Sequence, residues 1–507
     1  MDGEDDANDN FMMINCKRGL TVLMVLCAQW VAAQGLTDVM QYSRQDPLGS
    51  ARTMGMGGAM TALGADLGAI WSNPAGLGMY RSSDISFSLA PGAGGARTEY
   101  LGNKSVTAEP HLIVGQLGVA LTMPMLSTDF KRGTFAFGYT PLNDFHQRAE
   151  WSGETEGNSI TQQFAQQANG TDFDSLWYYH PFDAQLAWYT YLIDTLAGSS
   201  DQYAPAFAND NVRQELRRDR RGRMGETTIA FGTSYRDQLH IGLSAGIVST
   251  EMNRVDVYRE TKTSGPSALQ DLTLNDRLEI SGSGAYWAFG LILQPQKMPF
   301  RLGWSYRSGS VLSIEDFYQV DASATFAGAG TFEAESPSSF VEYKIRTPRR
   351  HQLGMSWTFG KWAVLSLDYA QTDYAKADFT SDDFYTEDVE AIQADIEDDF
   401  LLEQQYRFGL EVRAEEDWRV RLGGGWRSMA AVPLSNGFGD TGAIIEGSGN
   451  MGHFALGAEH RQETWYAGAT YRHTSTPDGR KVYGLAPEVA TGRTGLGLLM
   501  LTIGARY

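Results

Sequence analysis

Cysteine is almost missing from this chain: two occur in 507 residues, Cys16 and Cys27. Both fall in a leader-like stretch, where Lys17-Arg18 precede an apolar run from Gly19 to about Cys27, and Val31-Ala32-Ala33 supply small residues before Gln34. That pattern reads as a secretory signal peptide over residues 1–33, too short to span a membrane as a helix. The acidic stretch upstream is foreign to such a leader and points to a true start at Met12 or Met13. A lipoprotein anchor at Cys27 is a weaker reading, because Leu26 stands where a small residue is wanted. The remaining chain has no cysteine for disulfides, thiol catalysis or Cys-ligated zinc.

Other absences narrow the function further. No run of about 18 apolar residues follows the leader, so a membrane would have to be crossed by strands closed into a barrel. Basic residues are outnumbered, 41 Lys and Arg against 61 Asp and Glu for a formal charge of −20, which excludes nucleic acid as a natural partner. No GxSxG elbow, phosphate loop or dinucleotide fingerprint stands in a strand-to-helix context, so an enzyme acting on lipid is a distant third reading. The eight histidines are scattered and show no HExxH. A metal role for His111, His146 or His180 is disfavoured, and no metal or other cofactor is expected.

What the chain has in quantity is glycine, 56 residues, and aromatics, 12%, a mixture suited to strands that spend every second residue on lipid. From Arg81 the apolar period is two. Ile85, Phe87 and Leu89 open the series, Phe135, Phe137 and Tyr139 form its third member before Pro141, and Leu499, Leu501 and Ile503 close it. Fourteen such segments can be read, an even number. Their connections alternate: turns such as Arg236-Asp237-Gln238 and Gly360-Lys361 are tight, while those between them, above all residues 143–225, are long. Short turns at one end and long loops at the other belong to an antiparallel transmembrane barrel of the bacterial outer membrane, multi-pass, with both termini periplasmic. Outer-membrane lipid and lipopolysaccharide would surround it. Trp304, Trp357, Trp418 and Trp465 fit interfacial girdles.

The stretch Ala51 to Leu77, ARTMGMGGAMTALGADLGAIWSNPAGL, is different. Small and apolar residues recur at helical spacing until Asn73-Pro74 stops them. Preceded by the polar, irregular run Gln34 to Pro47, it reads as a mostly helical plug, residues 34–80, inside a barrel of residues 81–507. Gly55, Gly57, Gly58, Asp66 and the box Asn73, Pro74, Ala75 make this stretch resemble the start of the FadL family of outer-membrane transporters for long-chain fatty acids and aromatic hydrocarbons. The resemblance implies a plug that carries the Asn-Pro-Ala box, a passive channel for hydrophobic molecules captured by extracellular loops, and an inward kink in the third strand opening a lateral exit. Pro141 is the candidate for that kink. Some relatives handle proteins in a secretion or assembly system instead, and the motif alone does not separate a transporter from a component with protein partners.

Within this frame three regions invite chemistry. Arg301, Arg307, Arg407, Arg413, Arg419, Arg421 and Arg427 alternate with lipid-facing residues and are expected to point inward, with Asp368 beside them. Such a ladder needs anions, supplied either by plug aspartates Asp38, Asp46 or Asp66 or by a ligand carboxylate. The long loop carries Trp177, Tyr178, Phe182, Trp188 and Tyr191, which form a packed cap, a capture surface, or both. Arg213 to Arg223 is read as a solvated charged face rather than a lipopolysaccharide site. The acidic loop 378–399 lacks EF-hand spacing and is read the same way, with cation binding the lesser alternative.

Overall fold

A computed structural model describes residues 35–432, 434–436, 439–443 and 448–507. The signal peptide, with Met12, Met13, Cys16 and Cys27, lies outside the described residues.

Alternation of outward apolar and inward small or polar side chains builds a closed antiparallel barrel of fourteen strands, as the sequence reading expects. They are β1 Asp84–Tyr100, β2 Asn103–Pro124, β3 Phe130–Asp144 continued by Gln147–Glu156, β4 Asn211–Tyr235, β5 Leu239–Ser264, β6 Leu269–Leu293 and β7 Phe300–Arg307 continued by Val311–Phe326. β8 is Ser339–Arg346 continued by Arg350–Phe359, followed by β9 Ala363–Asp373, β10 Leu402–Arg413, β11 Trp418–Arg427, β12 Met451–Arg461, β13 Trp465–Arg480 and β14 Ala490–Arg506. Closure is direct, with β14 pairing β1 from Asp84↔Arg506 to Glu99↔Thr491. Ser83 and Tyr507 exchange backbone hydrogen bonds at the short-turn end.

The outward face is apolar where a membrane would meet it. Phe87, Phe137, Ile229, Leu243, Leu367 and Ile503 are all exposed, the inverse of a soluble sandwich. Aromatic rows flank this band. Trp357, Trp418 and Trp465 lie toward the short turns, and Trp287, Tyr306, Tyr406 and Trp426 toward the other end, several in mutual contact. Trp418 and Trp426 are eight residues apart, about 27 Å along the strand, or roughly 20 Å once strand tilt is allowed for. Trp304 belongs to neither girdle, since it packs on Phe289 between the two rows.

The long connections are not the loops the alternation suggested. β4, β5 and β6 are 25, 26 and 25 residues long, whereas a membrane crossing takes about 9–11. The turn between β1 and β2 is only Leu101-Gly102, and β5 meets β6 across residues 265–268. The reason is a reversal of polarity along each strand. In β5 the apolar residues point outward at Leu243 and Ile247 and then inward at Val248, Met252 and Tyr258, while Glu251 and Asn253 face water. A search for outward apolar residues therefore stops at the membrane boundary while the sheet continues.

Over the far end lies residues 157–210, with helices α4 Ile160–Ala168, α5 Leu176–Tyr179 and α6 Ala184–Tyr189, numbered after three helices in the plug. Phe164, Leu176, Leu192 and Phe207 pack here with Trp151, Leu216 and Tyr258 of the strand extensions. A further helix, α7 Thr386–Asp399, occupies the acidic loop.

Candidate functional site

The lumen is filled by the N-terminal segment, and the filling differs from a single helix. Residues 35–43 form α1, α2 is Ala51–Gly55, α3 is Ala69–Ser72, and Pro74–Met79 is a 3-10 turn. Gly57 and Gly58, at φ of +61° and +75°, break the helix that the small-residue spacing suggests, because left-handed backbone cannot continue it. The run to Pro47, read as polar and irregular, is instead largely α1. Leu36, Val39, Met40 and Tyr42 are buried among Leu142, Met252, Ile280 and Tyr343 of the strand extensions, and Ile392 and Ile396 of α7 close over them. The acidic loop is thus a lid whose charged face is turned out and whose isoleucines touch the plug.

Glycines on the wall let the plug lie flat on it. A Cβ at Gly242 or Gly290 would overlap Pro74 and Asn73, and one at Gly409 or Gly423 would overlap Met56 and Gly57. Gly242 and Gly290 are ladder neighbours, as are Gly409 and Gly423. Inward glycines in mid-strand are the sequence signal for such an approach. Within this contact Asn73 Nδ2 donates to the carbonyls of Thr61 at 2.7 Å and Leu291 at 3.2 Å, while its Oδ1 accepts from Ala75 N–H. The Asn-Pro-Ala box is the rivet between plug and β6. Asp66 works inside the plug, accepting from Ser50 and Thr53 hydroxyls and from Gly68 N–H at 2.8 Å. Gly55 lies over Arg421.

Wall arginines meet the plug chiefly through its backbone. Arg407 donates to Gly58 O at 2.9 Å, Arg301 to Leu63 O at 3.3 Å, and Arg427 to Gln45 O. Asp368 does not pair in the arginine ladder by a direct bond; it accepts from Thr61 N–H and Oγ1, at 3.0 and 2.7 Å. Of the three plug aspartates proposed as anchors, Asp46 reaches a wall arginine, Arg472 at 2.7 Å, whereas Asp38 accepts from the Tyr343 hydroxyl. Charge flows the other way too: Arg44 and Arg52 of the plug bind Glu403 at 2.7 Å and Glu411 at 3.2 Å. Arg421, fully buried, bridges Glu411 and Glu459 at 2.7 and 2.9 Å. Arg413 is a correction. It sits at the short-turn end and donates to Glu416 O, so the turn rather than a ligand or the plug claims it. Arg419 faces Arg413 and Glu459 in the ladder near the same end. Glu403, Glu411, Glu459 and Arg472 escaped the sequence reading, although simple alternation from Tyr406, Leu410, Ala458 and Tyr471 turns each of them inward.

Between plug and wall remains a cavity of about 30 Å³, bordered by Asp46, Trp71, Arg407, His453 and Arg472. That is room for water; an apolar cavity holding benzene needs about 150 Å³. In this conformation the cavity is too small for a hydrocarbon.

The wall itself is interrupted beside β2. The β2–β3 ladder runs only from Leu117↔Tyr139 to Pro124↔Arg132, although β2 continues back to Asn103. The β3–β4 register slips between Pro141 and Asn143. Beyond Tyr139, β3 pairs with the plug instead: Leu48 N–H donates to Pro141 O at 2.8 Å and Asp46 N–H to Leu142 O at 2.9 Å. The continuation of β3 then crosses the inner side of the β1–β2 hairpin, where Gly94 leaves no Cβ to obstruct His146.

In the cap, Trp188 stacks on Phe173 and meets Tyr203 edge to face, and Phe182 packs on Tyr318. Trp177, Tyr178 and Tyr191 are more than half exposed. The packed-cap and free-surface readings therefore divide the aromatics between them. The arginine run is upper β4, laced by ion pairs such as Arg217–Asp219 and Arg223–Glu251. His111 and His146, unrelated by spacing, meet at Asp144.

No protein-family model matches the chain, and no curated protein matches it in sequence. Solved structures do. A FadL homologue of Pseudomonas aeruginosa is 10% identical over 92% of this chain and 99% of its own, with a TM-score of 0.52. A TodX mutant described as a monoaromatic hydrocarbon channel is 13% identical over 91% and 99%, at 0.50. The toluene transporter TodX of P. putida is 12% identical over 92% and 99%, at 0.49.

Proposed function

We propose that this chain, which has the plugged fourteen-strand fold of the FadL-type outer-membrane channels, is a passive channel for hydrophobic small molecules, long-chain fatty acids or aromatic hydrocarbons. The observation that carries the reading is the interrupted wall: the edge of β2 above Leu117 is left by β3, and the departing strand is held by the plug. An apolar solute has no use for a continuous water-filled pore. It gains by leaving sideways into lipid, and a gap in the ladder at the level of the bilayer serves that exit.

The aromatics of α5, packed edge to face on one another, and Tyr191, packed on Phe332, remain more than half exposed and offer first contact to apolar or aromatic solutes. With the plug seated and a cavity of about 30 Å³, passage requires a conformational step. The ligand drives it only to the extent that it binds the unseated state better. With the short turns and both barrel termini periplasmic, the cap faces outward and the direction is uptake down a gradient. The basic residues bordering the cavity, Arg407 and Arg472, suit the carboxylate of a fatty acid once Asp46 is displaced.

Uptake of labelled oleate and toluene by a deletion strain, with and without the protein restored, tests this. The channel reading expects uptake to fall on deletion and recover on restoration. Unchanged uptake, with stoichiometric recovery of a protein partner and altered secretion, would replace it by the assembly-component reading.

A further inference from the structure

The departure of β3 from β2 creates a second feature, at the upper rim of the gap. His111 stands on the stretch of β2 that β3 has left and that still pairs with β1 at Gly92, and Asp144 and His146 stand where β3 ends its first segment and begins its second. Asp144 Oδ2 lies 2.5 Å from His111 Nε2, and its Oδ1 lies 2.7 Å from His146 Nδ1. The two imidazoles stack, centroids 4.5 Å apart and planes 11° from parallel. One ligand atom from each of the three residues lies within 4.8 Å of the others, the grouping of this kind found among the described residues.

The protons on His111 are constrained by its neighbours. Its Nδ1 lies 3.1 Å from the Glu109 carbonyl, which can only accept, so this nitrogen carries the hydrogen. Nε2 then meets the carboxylate oxygen through a second proton, as an imidazolium–carboxylate pair, or through a metal ion bound in that proton's place. A backbone carbonyl that fixes the far nitrogen of a ligating histidine is also how metal sites orient their imidazoles.

We propose that His111, Asp144 and His146 form a site for a divalent transition metal of the zinc class. Two imidazoles and one carboxylate suit Zn²⁺, Ni²⁺ or Cu²⁺ rather than Ca²⁺ or Mg²⁺, which take oxygen ligands. Bonds of about 2.0–2.2 Å in a tetrahedron place ligand atoms about 3.3 Å apart, so the two short contacts open by less than 1 Å to admit the ion. The fourth position is left to water. Neighbouring positive charge is already matched, since Arg148 binds Glu109 and Asp219, and Arg221 binds Glu109. Each strand of the interrupted pair contributes a ligand, so the bound ion ties β3 to β2 above the last ladder pair. On the channel reading of the previous section, on which this consequence rests, the metal holds the lateral gap at one width and slows passage.

The test uses the full chain in detergent, stripped with chelator and titrated with ZnCl2 by calorimetry and with CoCl2 by visible absorption. The expected result is one ion per chain with at least tenfold weaker binding in His146→Ala and Asp144→Asn, and loss of the cobalt ligand-field band, while His180→Ala binds as the parent does. Heat-modifiable migration on a gel certifies that each variant is folded, and His146, at a partly exposed position, serves where His111→Ala does not fold. Equal binding by parent and His146→Ala overturns the site. In proteoliposomes, zinc is expected to slow uptake several-fold in the parent and not in His146→Ala. Zinc bound without any change in uptake overturns the latch, whereas no uptake by the metal-free parent overturns the channel reading instead.

Discussion

Leu48 of the plug donates its backbone N–H to the carbonyl of Pro141 in the wall, across 2.8 Å. Asn143, two residues on, receives Asp46 N–H at 2.9 Å and donates to Arg44 O at 3.0 Å. The strand that abandons its wall partner thus takes the plug as a substitute, so seating the plug and shaping the lateral gap are one event. Replacing Asn143 with Ala removes the two side-chain hydrogen bonds of this clasp, at a cost of about 1–3 kcal/mol. Planar-bilayer recordings of Asn143→Ala are expected to show frequent openings that the parent lacks.

The glycine sockets give a stronger perturbation. Gly290→Ala places a methyl on Asn73 Oδ1, and Gly242→Ala one on Pro74. Both should leave the barrel heat-modifiable yet raise sensitivity to large antibiotics, because the plug cannot lie flat. Gly452→Ala, with open space around its Cβ, should match the parent in both assays.

The inward arginines are not equivalent. Arg421→Ala removes one of the two cations on each of Glu411 and Glu459, which keep Arg52 and Arg461, and is expected to destabilise by about 1.5–3 kcal/mol in urea unfolding from micelles. Arg413→Ala, whose partner is a turn carbonyl, should change stability and leak little.

A pH dependence follows from Asp316, outside the membrane band on upper β7. Burial and the neighbouring charges of Asp38 and Asp276 push its carboxyl up to about 7. With the folded value above the usual carboxylate range, its contribution is fully favourable below about pH 4 and is lost as pH rises through 7. Because Asp38 is on α1, that loss loosens the docked helix. Hydrogen-exchange protection of residues 35–43, corrected for intrinsic rates, should be higher at pH 5 than at pH 8. Asp316→Asn should flatten the difference.

Much of this molecule is legible from residue order, and the limits have physical causes. Outward apolar alternation locates all fourteen strands because lipid demands it of every crossing, as at Phe135, Phe137 and Tyr139. It fails above the membrane, where Met252 and Tyr258 turn inward and Glu251 outward. Asn73-Pro74-Ala75 lies in the N-terminal segment that fills the lumen, whose helices are shorter than periodicity implies, since Gly57 and Gly58 take left-handed backbone to meet Gly423 and Arg407. The inward arginines were visible by parity; their partners Glu403, Glu411 and Glu459 obey the same parity and needed only to be counted with them. That Asp368 would take Thr61 depends on how the plug lies in the lumen, and that His111 would find Asp144 depends on where β3 bends; no spacing rule contains either.

The cap offers a separable test of capture. Trp177→Ala, at an exposed ring, should lower uptake at limiting ligand while leaving the saturated rate unchanged, in proteoliposome assays across a concentration series. Trp188→Ala, wedged between Phe173 and Tyr203, should instead make residues 157–210 more sensitive to protease.

Passage of hydrophobic molecules by movement of the plug is tested most directly by uptake of labelled oleate into proteoliposomes. The parent and a variant whose plug is cross-linked to β3, through cysteines at positions 47 and 143 and a short bifunctional reagent, are compared with protein-free vesicles. Saturable uptake by the parent is expected, abolished by cross-linking and restored when a cleavable linker is cut. Parent uptake no faster than in protein-free vesicles, or uptake indifferent to the cross-link, would contradict it.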